Sequence, residues 1–141
     1  MQLVRLTLLY TLLPYIIVGC STGPYMAYDG QSLSINDISI LSIRNPKFEV
    51  LEYDGKRIGN IWQGTSGWSE IHLTPGEHEF YISASVKKNS GRVWDTLFIN
   101  ASLEAGKQYQ IKVVDGHRDI TSIWIEEVGS MKKISETLIY H

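Results

Sequence analysis

From Ile38 onward the chain breaks into short runs rich in β-branched and aromatic residues, each bounded by Gly, Pro, Asn, Asp or Ser. These runs are Ile38 to Ile43, Phe48 to Tyr53, Arg57 to Trp62, Ser69 to Leu73, His78 to Val86, Val93 to Leu103, Gln108 to Val114 and Ile120 to Val128. About eight strands at this spacing, with no helical segments of crossover length between them, predict an all-β fold, an antiparallel β-sandwich. In the run from Gln108, Tyr109, Ile111 and Val113 alternate with Gln108, Gln110 and Lys112, so one face is wet. Pro75-Gly76 suits the centre of a type II turn, with proline setting φ and glycine accepting a positive φ. If Leu73 faces His78 across that turn, Ile71, Leu73, His78, Phe80, Ile82, Ala84 and Val86 share the core face. Asp54-Gly55 and Asn89-Ser90-Gly91 read as two more hairpin tips. In the last stretch, Gly129 to His141, Met131, Ile134 and Leu138 have the spacing of one side of a short helix.

The start of the chain has a different pattern. Arg5 supplies a positive charge, and Leu6 to Val18 is uncharged and mostly apolar. That is the layout of a signal peptide. As a helix the apolar run would reach about 20 Å, short of a hydrocarbon core of roughly 30 Å, and Pro14 removes a helix donor within it. Ile17-Val18-Gly19-Cys20 resembles the lipobox of bacterial lipoproteins, with a small residue just before the cysteine. The resemblance implies cleavage between Gly19 and Cys20 and lipid attachment, including palmitate, at Cys20. Ser21 stands where an aspartate would resemble an inner-membrane retention signal, which points to an outer-membrane location, facing either the periplasm or the exterior. The expected organisation is therefore a signal peptide over 1–19, a lipidated N-terminus and flexible tether over 20–36, and a sandwich domain over 37–141.

Tyr53-Asp54-Gly55-Lys56, followed by Ile71, Leu73, Pro75-Gly76, His78 and Phe80, resembles the small β-sandwich modules of the PEGA type. The similarity covers Lys47 to Val86 and lacks the family's Gly-Ala after Pro46. It implies an Ig-like or PEGA-like, non-catalytic envelope domain, and it carries over no active-site residue.

Composition narrows the chemistry further. The 141 residues are 43% hydrophobic and 20% charged, which suits one globular domain, and the net charge of −2 argues against a nucleic-acid partner. The only cysteine is Cys20, placed at the end of an apolar run rather than beside a base. His72 and His78 fall on opposite faces of the expected hairpin, and zinc needs three or four convergent ligands, so no metal or other cofactor is expected. Glu126 and Glu127 point to opposite sides of a strand, and no nucleophile elbow or phosphate loop is present.

Aromatic placement is the remaining signal. Trp62 and Trp68 bound the Gly/Ser-rich segment Gln63 to Gly67. Rings in such a loop can stack on sugars or anchor a partner protein, or they can fold inward and cap the end of the sandwich. The sequence thus points to a membrane-anchored structural or interaction module rather than an enzyme. The alternative is a glycan or small-ligand receptor that uses the Trp62 to Trp68 loop, and the expected partners are the membrane, through the lipid, and an envelope protein or glycan.

Overall fold

The computed structural model describes residues 23–58, 68–88, 91–116 and 119–139. Ten strands appear: β1 (Tyr25–Met26), β2 (Ser39–Ser42), β3 (Phe48–Tyr53), β4 (Lys56–Arg57), β5 (Glu70–Leu73), β6 (Gly76–Lys88), β7 (Gly91–Leu103), β8 (Gln108–Gly116), β9 (Asp119–Glu127) and β10 (Leu138–Ile139). They form a six-stranded sheet, ordered β1-β5-β2-β8-β9-β10, and a four-stranded sheet, ordered β4-β3-β6-β7. The protein is an all-β sandwich. It is not wholly antiparallel, because β1 runs parallel to β5 and β2 runs parallel to β8.

The period-two alternation decides which residues meet between the sheets. From β6, Phe80, Ile82, Ala84 and Val86 point inward, and they share one cluster with Ile71 and Leu73 of β5, Ile111 of β8, and Ile123 and Ile125 of β9. Fully burying each large apolar side chain contributes about 1.5–3 kcal/mol, so this interleaved layer is the main support of the fold. Tyr109 and Ile111 are buried while Gln108 and Lys112 are exposed, as the alternation along β8 requires.

Two hairpins form where the turn residues predict them. Asp54 and Gly55 both have positive φ, 47° and 71°, which is what a two-residue type I′ turn needs, and Tyr53 pairs with Lys56 across it. β6 and β7 pair along their full length from Gly76↔Leu103 to Lys88↔Gly91, with the tip residues Asn89 and Ser90 outside the described residues.

The expected hairpin at Pro75-Gly76 is not one. β5 pairs with β1 and β2 in one sheet, whereas β6 pairs with β3 and β7 in the other. Pro75-Gly76 is therefore the corner where the chain crosses between sheets. Gly76 has φ 139°, a conformation that side chains with a Cβ rarely adopt, although a Cβ placed there would meet nothing within 4 Å. Gly76→Val should thus destabilise the domain by about 1–2 kcal/mol through backbone strain alone. Urea melts of the two proteins would measure this, and coincident curves would mean the corner relaxes without cost.

Two further expectations are corrected, and a third falls mostly outside the described residues. Residues 25–26, placed in the flexible tether, form β1 against β5, and Ala27 N–H extends the contact by donating to the His72 carbonyl at 2.8 Å. Of the expected strand from Arg57 to Trp62, Arg57 closes β4 and Ile58 is buried beyond it, while residues 59–67 lie outside the described residues. The C-terminal stretch is no helix. Positive φ at Gly129 and Met131 turns the chain back along β9, where Ile134 N–H donates to the Ile125 carbonyl at 3.0 Å and Leu138 pairs with Ile123. Met131, expected on the packed side of a helix, is 76% exposed.

Candidate ligand-binding groove

At the end of the sandwich where β2 hands over to β3, a groove of about 400 Å³ opens. Its lining includes Ile43, Arg44, Asn45, Glu49, Trp68 and Trp94. The backbone explains why these residues converge. Ile43 N–H donates to the Ser69 carbonyl at 3.0 Å, which ties the end of β2 to the chain just before β5 and so sets Trp68 beside Ile43. Asn45 then turns the chain by accepting the Lys47 N–H through Oδ1 at 2.9 Å, an Asx turn of the kind that short polar side chains favour. Ser85 N–H donates to the Lys47 carbonyl at 2.8 Å, which docks this crossover on β6. Trp94 pairs with Ser85 on the outward face of β7.

The two indoles differ in setting. Trp68 is half-buried, and its ring meets Tyr25 edge-on at 5.6 Å, with Tyr25 in turn edge-on to Tyr53 at 6.1 Å. The Tyr53 hydroxyl donates to the Ala27 carbonyl at 3.1 Å, and burial, with Tyr25 next, pushes its phenol above the ordinary value. This aromatic chain fixes β1 and holds Trp68 in place. Trp94, by contrast, is 58% exposed. Arg44, Asn45 and Glu49 add donors and acceptors of both charges around the indoles. The described lining thus offers flat aromatic faces beside hydrogen-bonding groups, an arrangement suited to stacking and polar contact.

Trp68 is one of the two tryptophans singled out from the sequence, and the structure places it in this groove. Trp62 lies outside the described residues, as do Gly19 and Cys20. Trp94 was missed. The sequence alone leaves its side open: in Arg92-Val93-Trp94-Asp95-Thr96-Leu97-Phe98-Ile99-Asn100, the inward series is Val93, Asp95, Leu97 and Ile99 and the outward one Trp94, Thr96, Phe98 and Asn100, and each mixes large apolar residues with polar ones.

Other polar clusters have internal partners. His78 Nε2 meets the Thr74 carbonyl and Nδ1 meets Asp54 Oδ2, both at 2.7 Å, so the ring clasps the corner before β6 to the β3–β4 turn. Asp54 also accepts the Glu79 N–H through Oδ1 at 2.9 Å, and its own N–H donates to the Glu79 carbonyl at 2.8 Å. His72, on the other sheet, bonds Glu70 at 2.8 Å. Glu126 is only 5% exposed and accepts from Gln110 Nε2 and Trp124 Nε1, both at 2.9 Å. Glu127, on the opposite side of β9, is held below the ordinary carboxylate value by the hydrogen bond from Lys107. Among the described residues no three of His, Cys, Asp and Glu converge as metal ligands do.

Asp54→Ala removes two hydrogen bonds and puts a Cβ-bearing residue with no local side-chain bond at φ 47°. The expected loss is about 2–3 kcal/mol, with Asp54→Asn closer to 1 because asparagine tolerates positive φ and keeps one acceptor. Chemical denaturation of both variants would test the order, and an equal loss would show that the carboxylate charge matters more than the turn.

No protein-family model matches this sequence, and neither a curated protein nor a solved structure matches it.

Proposed function

We propose that this protein is a lipid-anchored, non-enzymatic lipoprotein of the bacterial outer membrane that works by contact, and that the groove between Trp68 and Trp94 is its contact surface. The observation that carries the reading is the groove itself, where a braced indole and a mostly exposed one bracket a mixed polar rim. Tryptophan is enriched among the few residues that carry most of the energy of a binding surface. The lipobox resemblance supports the anchoring. The PEGA-type resemblance, which implies a non-catalytic envelope module, supports action by contact. A second reading, a receptor for a glycan or small ligand at the Trp62 to Trp68 loop, is favoured by the presence of Trp68 in the groove.

The test is retention of the full chain, in nonionic detergent, on isolated outer-membrane and peptidoglycan fractions. Trp94→Ala should weaken retention at least about tenfold while leaving the melting temperature unchanged. Trp68→Ala should weaken retention and lower the melting temperature as well, because its ring also braces Tyr25. A wild type that neither fraction retains would remove the contact-surface reading.

A further inference from the structure

We infer that the ligand is an uncharged glycan strand that lies across the outer face of the four-stranded sheet, from the Trp68–Trp94 groove to the Tyr81–Phe98 ring pair. This rests on the contact-module reading and adds to it the chemistry of the ligand. The outward series of β7 places Trp94, Thr96, Phe98 and Asn100 in a line, opposite Ser85, Ser83, Tyr81 and Glu79 of β6. Phe98 is 56% exposed and stacks on Tyr81 with ring centroids 4.7 Å apart and planes 28° from parallel. At about 3.4 Å per residue, Trp94 and Phe98 stand roughly 14 Å apart, a span that linked pyranose rings bridge and a single sugar does not.

The residues between the rings point to sugar rather than to lipid or an apolar protein patch. Thr96 and Ser83 sit opposite each other midway along the line and offer hydroxyls that both donate and accept. Among the described residues, the large apolar side chains exposed on this face are aromatic. The exposed aliphatic ones, Met26, Leu33, Ile35, Val114, Val128 and Met131, belong to the other sheet or to the segments around it. A hydrocarbon surface would be met by aliphatic groups, whereas flat rings interleaved with hydroxyls suit the alternating C–H and O–H faces of pyranose rings.

Charge disfavours a polyanion at the far end of this track. The cations Arg44 and Arg92 stand at the groove end, and Arg57 pairs with Glu52 on the β4 edge. Around the Tyr81–Phe98 pair the charged neighbours are carboxylates: Glu79 lies two residues before Tyr81 on the same face, Glu52 pairs with Tyr81 from β3, and Glu136 lines a pocket with Phe98. A polyanion long enough to reach that pair would run beside them and be repelled, so the strand that spans both ends is an uncharged one.

The experiment is affinity electrophoresis of the full chain in nonionic detergent, through native gels that contain mixed-linkage β-glucan, dextran or polygalacturonate. At least one of the two neutral polymers should retard the wild type. Trp94→Ala and Phe98→Ala should each weaken that retardation tenfold or more, Trp94→Phe should keep part of it, and Trp94→Leu, equally apolar, should not. Met131→Ala should behave as wild type. Melting curves would confirm that each variant folds. The inference is overturned if neither neutral polymer retards the wild type, if retardation survives both alanine substitutions, or if polygalacturonate retards more strongly. Should the neutral polymers fail while Trp94→Ala still abolishes retention on envelope fractions, the glycan assignment falls and the contact-module reading stands. Should both assays fail, both readings fall.

Discussion

Cys20→Ser is expected to leave the chain unlipidated and unprocessed, still carrying residues 1–19. The chemistry implied by the lipobox resemblance begins on a thiolate, and a serine hydroxyl is a far weaker nucleophile at neutral pH. Metabolic labelling with radioactive palmitate and the mass of the purified chain would read the outcome together. Persistent labelling of the mutant would end the lipoprotein reading. A single acyl chain anchors only marginally, at about 0.8 kcal/mol per buried methylene, so firm retention of the wild type in membranes would indicate more than one chain. Because Tyr25 already pairs with Ile71 in β1, only Ser21 to Pro24 would separate the anchor from the sheet. At no more than about 3.6 Å per residue this connection reaches about 18 Å, so the sandwich would ride close to the lipid surface rather than on a long tether.

Much of this architecture is legible in the chain because the side-chain period of a strand leaves a mark on every element long enough to show it. β3, β5, β8 and β9 fall within two residues of the expected boundaries, and the inward series of β6 is correct from Phe80 to Val86. Partnering is not legible in the same way. In a hairpin, Leu73 and Phe80 would be buried on one face of one sheet. At a corner between two sheets they are buried on opposing inner faces. The hydrophobic pattern is identical in both cases, so Pro75-Gly76 marks a turn without saying which kind. The two missed strands are each two residues long, too short for any periodicity, and both sit in segments of other apparent character. At the C-terminus the spacing of Ile134 and Leu138 suits a helix equally well, but Ile125 of β9 takes up the segment's hydrogen bonds: its carbonyl accepts from Ile134, and its N–H donates to Ser135 Oγ at 2.7 Å. For the groove, Trp68 stands out because it closes a Gly/Ser-rich loop, whereas Trp94 is visible only once the inward face of β7 is assigned. That assignment depends on which side of β7 packs against the other sheet.

Two phenylalanines on opposite faces of the same sheet give the sharpest stability contrast. Phe80 on β6 is fully buried among the apolar residues of both sheets, and Phe80→Ala should cost about 3–5 kcal/mol from lost burial and the cavity left behind. Against a total stability of about 5–15 kcal/mol, that leaves a protein with a much lower melting temperature, or one that does not fold at 37 °C. Phe98 on β7 sits one position along from Ile99, the direct partner of Phe80, and faces solvent. Phe98→Ala gives up only its stacking on Tyr81 and part of its burial, about 1 kcal/mol. The expected ratio is therefore at least about threefold for the same substitution at neighbouring positions in the ladder, and urea denaturation of the two mutants would measure it. Comparable losses would mean that the outer face of the four-stranded sheet is itself a packed surface. Phe98 would then not be free to meet a ligand, and the glycan inference would fail along with the exposure on which it depends.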